Sequence, residues 1–364
     1  MSFDFAGRIA RVADRARALD LDAVLVTPGT DLRYLTGYDA VALERLTCLV
    51  IPAEGQAWMS VPLLEIPAAT AAGVSELGIE LVAWTETSDP YAMLAQRLGR
   101  TRRVAVDDHM WASKVLALRT AMPETDQVAG VHVLGHVRMR KGPDEISALR
   151  EAGAAIDAVH RQVPNWLRAG RTEREVGADI ARAILDAGHR TVDFVIVGSG
   201  PNGASPHHEL SDRVIEPGDV VVVDIGGSMP SGYCSDSTRT YHVGDGPEPE
   251  FYAALQQAQA AAVNAVRPGI TCAELDAVGR DLLMEAGWGE WFIHRTGHGI
   301  GLDTHEEPYI VAGNELPLEP GMAFSIEPGV YLAGQHGARI EDIVVCGDQH
   351  AIVCNNTPHE LVHV

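Results

Sequence analysis

The chain has 364 residues, 46% of them hydrophobic and 21% charged, with 50 acidic side chains against 28 basic ones and a formal charge of −22. That composition is globular, and that charge repels phosphate backbones and anionic bilayers, which excludes nucleic acid and membrane surfaces as partners. No apolar run approaches the roughly 20 residues needed to cross a bilayer, and Met1 to Phe5 lacks the basic region and apolar core of a signal peptide, so a cytoplasmic location is expected.

The length exceeds the roughly 250–300 residues at which one core stops growing, so two domains are expected. Ile9, Val12, Ala16 and Leu19 are spaced for one buried helical face, and the run Ala23 to Val26 reads as a strand ended by the Pro28-Gly29 turn. Further strands are expected at 46–51, 57–60 and 103–106, with helices at 64–72 and 92–98 between them. Strands alternating with helices indicate an α/β domain, placed at residues 1–130.

A linker is expected at 131–142, ending in the basic cluster Arg138, Arg140 and Lys141 before Gly142. Pro143-Asp144-Glu145 puts a proline and two acids in a first helical turn, where the missing N–H costs little and negative charge suits the dipole. A long helix, 143–169, should therefore open a second domain covering 143–364. Helices follow at 172–187, 248–266 and 271–286, the last starting on the Thr271/Glu274 capping box. Strands are expected at 194–197, 220–225, 238–243, 323–330 and 340–346. Helices on one side of a mostly antiparallel sheet make this an α+β domain. Five dispersed cysteines without a C-x-x-C pair read as reduced structural residues.

Carboxylates interrupt these apolar strands, as in Val221-Val222-Val223-Asp224, Phe324-Ser325-Ile326-Glu327 and Ile340-Glu341-Asp342-Ile343. An uncompensated buried charge costs several kcal/mol, so such acids are paired, capped, protonated or bound to metal. For any one of them a turn or cap contact is the blander reading; their number weakens it. Histidines cluster in Gly297-His298-Gly299-Ile300-Gly301, at His305-Glu306 and at His207-His208. One imidazole with several carboxylates is a hard, oxygen-rich set suited to manganese, cobalt or zinc. Phe194, an aromatic in a strand, reads as core. Gly198-Ser199-Gly200 lacks the G-x-S-x-G spacing of a serine nucleophile, and the glycines at 297–301 lack the G-x-G-x-x-G form of a dinucleotide site.

The runs Val-Asp-Ile-Gly (223–226), Ser-Asp-Ser-Thr-Arg-Thr (235–240), Thr-Gly-His-Gly-Ile-Gly (296–301), Ile-Glu-Pro-Gly (326–329) and Arg-Ile-Glu-Asp (339–342) resemble, in that order, the creatinase/aminopeptidase superfamily. These are the "pita-bread" metallopeptidases that include Xaa-Pro dipeptidase (prolidase) and Xaa-Pro aminopeptidase. Asp31 to Tyr38 resembles the creatinase-like N-terminal domain of the same branch, so the resemblance spans nearly the whole chain. One departure is a hairpin about a residue longer between Asp224 and Asp236, with Pro230-Ser231 as the insertion.

The resemblance implies a creatinase-like α/β domain followed by a pita-bread catalytic domain, and two divalent metals per chain, manganese first with cobalt or zinc as alternatives. Asp224 would hold one metal, His298 and Glu327 the other, and Asp236 and Glu341 would bridge both. A hydroxide between the metals would attack the Xaa-Pro bond of a dipeptide or short peptide, with Glu327 as proton carrier. His207 and His305 would stabilise the intermediate or bind the peptide, His294 would line the proline pocket, and Arg339 would organise the site or the substrate. A homodimer is implied, with a tetramer as the alternative. The other readings are a protein of this fold retained as a binding module, and a lyase or other small-molecule activity on the same metals. Tyr309 stands where some prolidases carry an arginine suited to a dipeptide's carboxylate, and the absence of that arginine weighs against a dipeptidase relative to an aminopeptidase.

Overall fold

A computed structural model describes residues 3–364. The chain divides into two compact units at Arg138/Met139. In the first, among the described residues, six strands form one sheet in the order Glu80–Trp84, Trp58–Pro62, Cys48–Pro52, Ala23–Val26, Arg103–Val106, Asp126–Ala129. The central Ala23–Val26 strand is buried on both faces, as its unbroken apolar run requires. It pairs antiparallel with Cys48–Pro52 and parallel with Arg103–Val106. The opening helix Phe5–Ala18 is capped by Asp4, whose side chain accepts from the Gly7 N–H at 2.9 Å, and it buries Val12 and Ala16. Glu80–Trp84 and Asp126–Ala129, unforeseen in the sequence, are sheet edges whose exposed positions break the apolar pattern. The helix expected at 64–72 is divided into a 3₁₀ turn, Leu63–Glu65, and the helix Ile66–Ala71, which has a proline in its first turn.

The stretch expected as a linker, 131–142, holds a short helix, Leu134–Arg138, with Val133, Leu134 and Val137 buried, and the division between units falls inside it. The helix expected to run to Ala169 ends at His160. Pro164 lacks the N–H that the next turn needs, so the chain passes into a 3₁₀ turn at Val163–Asn165, still burying Val163 and Leu167.

In this second unit the strands Thr191–Ser199, Val220–Ser228 and Cys234–His242 form an antiparallel run, with Val362–His363 added parallel at its edge. Val221, Val223 and Ile225 pack against Ile156, Val159, Val176 and Ile180 of two helices, Pro143–His160 and Glu173–Asp186. Strand side chains alternate between faces, so Asp224 lies on the face turned away from these helices. A second antiparallel sheet has the order Glu306–Ile310, Gly297–Gly299, Ala323–Ile326, Asp342–Cys346, Ala351–Val353. Its Met322, Phe324, Ile326, Val344 and Cys346 pack with Ala262 and Leu275 from the helices Tyr252–Ala265 and Cys272–Glu285.

The strand expected at 323–330 is two strands. Ala323–Ile326 pairs with Asp342–Cys346, whereas Gly329–Leu332 pairs with His336–Arg339. Glu327 and Glu341 occupy the two breaks, where the chain changes partner, and Glu341 N–H reaches across to the Thr238 carbonyl at 3.2 Å.

Candidate metal centre

Register brings the first acids together. Asp224 pairs with Thr238 and Gly226 with Asp236 across the Val220–Ser228/Cys234–His242 hairpin, so Asp224, Thr238 and Asp236 share one face. The five-residue connection 229–233, closed by Met229 N–H to the Tyr233 carbonyl at 2.9 Å, leaves that register undisturbed. The second sheet contributes His298. Its Nδ1 lies 3.1 Å from the Gly299 carbonyl and donates to it, which directs Nε2 towards Glu327 Oε1 at 3.2 Å and Asp236 Oδ2 at 3.7 Å. Ser325 sets both neighbours: its Oγ accepts from His298 N–H at 3.0 Å and donates to Glu327 Oε1 at 2.9 Å. Thr238 Oγ1 donates to Glu341 Oε2 at 2.7 Å.

Asp236, His298 and Glu341 are buried, and each offers a ligand atom within 4.8 Å of the others. All nine side chains picked out in the sequence, Asp224, Asp236, His298, Glu327, Glu341, His207, His294, His305 and Arg339, line one open cavity of about 1130 Å³. His305 stacks on His298 with ring centroids 3.8 Å apart. Burial, then the charges of His298 and Arg295, lower the His305 pKa to about 4, so its imidazole is neutral at pH 7.

Arg339 spends its donors on the protein. Its Nε reaches Thr238 Oγ1 at 3.1 Å, its Nη1 reaches Tyr331 Oη at 2.7 Å, and its Nη2 pairs with Asp224 Oδ2. Tyr331 in turn donates to His294 Nε2 at 2.9 Å, while His294 Nδ1 donates to the Arg295 carbonyl at 2.7 Å. Both nitrogens of His294 are thus engaged, and the ring meets the cavity as a surface. Burial holds the Tyr331 phenol up at about 12, so it stays a neutral hydroxyl between the two.

Three features of this site were not read from the sequence. Tyr331 sits in an apolar run and reads as core. Thr238 reads as an ordinary strand residue. Phe194, read as core, lines the cavity on the Thr191–Ser199 strand and packs over Gly226, where an added Cβ would come within 2.5 Å of its ring.

The electrostatics leave the cluster short of positive charge. Burial, and then the neighbouring carboxylates, push Asp236 and Glu341 well above the usual carboxylate range. Burial also acts on Glu327, but the His298 hydrogen bond and the charges of His298, His294 and Arg339 outweigh it and hold that carboxyl down at about 2. Asp224 Oδ1 is buried and has no hydrogen-bond partner among the described residues. Three buried carboxylates and the half-buried Glu327 around one imidazole, with an orphaned oxygen, form a donor set that fits a hard or borderline divalent cation.

Residues 147–348 match metallopeptidase family M24, and residues 8–140 match the creatinase/prolidase N-terminal domain. The chain is 52% identical over 363 residues to the probable dipeptidase PepE of Mycobacterium tuberculosis, covering 99% of this chain and 96% of that one. It is 35% identical over 339 residues to the Xaa-Pro dipeptidase of Lactobacillus helveticus, covering 90% and 89%. The crystal structure of dipeptidase PepE from Mycobacterium ulcerans superposes with a TM-score of 0.95 at 52% identity, covering 100% of both chains. Its creatinase-like N-terminal unit and pita-bread C-terminal unit make this chain a metallopeptidase of family M24, in the prolidase branch of the creatinase/aminopeptidase superfamily.

Proposed function

We propose that this metallopeptidase hydrolyses the Xaa-Pro bond of dipeptides, using two divalent ions held by Asp224, Asp236, His298, Glu327 and Glu341. The observation that carries this reading is a carboxylate cluster only partly compensated by Arg339, with Asp224 Oδ1 buried and without a hydrogen-bond partner among the described residues. The names of the relatives, a probable dipeptidase and an Xaa-Pro dipeptidase, support the substrate class.

Asp224 would hold one ion, His298 and Glu327 the other, and Asp236 and Glu341 both. Manganese suits this oxygen-rich set, with cobalt or zinc as alternatives. Bound divalent metal supplies Lewis acidity that brings a water's pKa towards neutrality and polarises the scissile carbonyl.

The remaining work falls to side chains. Glu327 is oriented by Ser325 Oγ beside His298, where its carboxylate can take a proton from the attacking water and return it to the leaving amine. His305, neutral at pH 7, and His207 present N–H donors to the peptide oxygen as charge develops on it; such donors commonly contribute a few kcal/mol. His294 offers a ring surface to a proline side chain. Arg339 acts through Asp224 and Tyr331, to both of which its guanidinium is bound. A homodimer is part of the same reading and is tested by light scattering.

The deciding experiment compares Ala-Pro with Ala-Pro-Ala on manganese-loaded enzyme. Proline release from Ala-Pro with little cleavage of Ala-Pro-Ala supports a dipeptidase; the reverse preference makes it an aminopeptidase. Cleavage of neither, with metal bound, removes the peptidase reading for these substrates and leaves a binding module or a small-molecule lyase.

A further inference from the structure

We propose that Glu173 is a positioning residue for the reaction: its carboxylate ties down the loop that carries His207 and so sets where His207 stands on the cavity wall. The inference rests on the reading of His207 as a substrate-facing group.

Glu173 is the first residue of the Glu173–Asp186 helix and is fully buried. Its carboxylate accepts from Ser199 N–H at 2.8 Å, Ser199 Oγ at 2.6 Å, Asn202 Nδ2 at 3.0 and 3.2 Å, His208 Nε2 at 2.7 Å and Ser211 Oγ. Ser199 ends the Thr191–Ser199 strand, Asn202 lies in the 3₁₀ turn Gly200–Ala204, His208 adjoins His207, and Ser211 leaves the loop. One carboxylate therefore holds the start, the middle and the end of the segment. Arg213 extends the network, pairing with Asp219 and donating to Ser199 Oγ at 2.7 Å.

His207 lies between two tethers. On one side the Pro206 carbonyl accepts from Arg339 Nη2 at 3.4 Å; on the other His208 is bound to Glu173. Among the described residues the His207 ring has no hydrogen-bond partner of its own, so its place follows from the backbone at 206–208. Charge-assisted bonds of this kind are the strong ones, and a carboxylate in a first helical turn is further favoured by the dipole. The donors keep Glu173 ionised, outweighing burial and holding its pKa at about 2. Glutamine there would turn an amide N–H₂ towards groups that are themselves donors, freeing part of the loop.

The test is a double-mutant cycle on the full-length, manganese-loaded enzyme, with kcat and KM for Ala-Pro measured for wild type, Glu173→Gln, His207→Ala and the double variant. Glu173→Gln is expected to lower kcat/KM at least tenfold, mainly through kcat, and to speed amide exchange across residues 200–211 at least tenfold. The double variant should match His207→Ala within about twofold, because a misplaced group and an absent one are equivalent. Multiplying effects, or an unchanged kcat in Glu173→Gln, would overturn the positioning role while leaving His207 in place. Full activity in His207→Ala would remove the reading of His207 and the proposal with it. Should Glu173→Gln fail to fold, Ser211→Ala, which deletes one of the carboxylate's donors together with the acceptor for Asn202 Nδ2 and Arg213 N–H, replaces it in the cycle: a smaller loss that vanishes in the His207→Ala background supports the proposal, and a loss that persists there overturns it.

Discussion

Arg339 and Asp224 form a buried ion pair in which Nη2 donates to Oδ2, while the second oxygen of Asp224 has no hydrogen-bond partner among the described residues. The guanidinium is thus a partial countercharge for a cluster that also contains Asp236, Glu327 and Glu341. Removing one member of a buried pair typically costs about 3–5 kcal/mol, because the other charge is left uncompensated. Arg339→Met should therefore lower the melting temperature strongly in the presence of a chelator. The loss should shrink when manganese is added, because ligand binding to the native state stabilises it and the cation replaces the missing charge. Thermal melts of both proteins with and without metal check this; equal losses in the two conditions would mean that the arginine does not offset the same charge as the metal.

Asp236 adjoins His298 and Glu341 in the ligand cluster, and it faces the hairpin side on which Asp224 also lies. If, as proposed, Asp236 is shared by two ions, its loss would weaken both. Wild type should retain near two ions per chain by elemental analysis after desalting, and Asp236→Ala should retain fewer and lose activity. Retained turnover in that variant would overturn the assignment of Asp236 as a bridge.

The acids were legible in the sequence because a carboxylate in a run such as Val221-Val222-Val223-Asp224 contradicts the pattern around it. Glu173 carried no such signal. It lies in the polar stretch Arg171-Thr172-Glu173-Arg174-Glu175 and reads as an ordinary helix-start acid, and its partners lie 26 to 38 residues further on. Tyr331 was hidden for the opposite reason: in the run Gly329–Leu332 its ring satisfies the apolar pattern, and its hydroxyl matters only once His294 and Arg339 are placed beside it. The break at Glu327 was hidden because the strands on either side of it, Ala323–Ile326 and Gly329–Leu332, are both largely apolar, and the break at Glu341 because the strand before it, His336–Arg339, carries no apolar run to announce it. Only the change of partner strand, a tertiary property, separates them.

Gly297 is where the second sheet fixes His298. A Cβ there would lie 1.8 Å from the Ser325 carbonyl oxygen, a backbone atom that cannot swing aside. Gly297→Ala must therefore part the Gly297–Gly299 and Ala323–Ile326 strands and draw His298 and Glu327 away from each other. Overpacking of this kind costs about 1–3 kcal/mol. The expected outcome is a lower melting temperature together with at least a tenfold loss of metal affinity in a competition titration. Destabilisation with unchanged affinity would show that the strand separation is not transmitted to the ligands.

In the N-terminal unit, Asp107 is 4% exposed; its Oδ2 accepts from Thr27 N–H at 2.7 Å and Thr27 Oγ1 at 2.8 Å, and its Oδ1 accepts from His109 N–H at 3.0 Å. Burial raises its pKa to about 6 against an ordinary value of 3.8; the Thr27 and His109 hydrogen bonds oppose the shift and Asp31 adds to it. Between those two values the folded protein holds a proton that the unfolded chain has released. The unfolded state then binds fewer protons, and stability falls as pH rises through the window, levelling off above the folded-state value. The full difference is roughly 3 kcal/mol by the free-energy equivalent of a pKa unit. Other carboxylates titrate in the same range, so the informative quantity is the difference between wild type and Asp107→Asn, which cannot ionise. Asparagine keeps the acceptor for Thr27 and loses the one for His109, an offset that does not vary with pH. Exchange rates of the Ala23–Val26 amides from pH 4 to pH 7, corrected for intrinsic exchange, should show wild type losing protection relative to the variant between about 4 and 6. Parallel profiles across that range would place the Asp107 proton elsewhere.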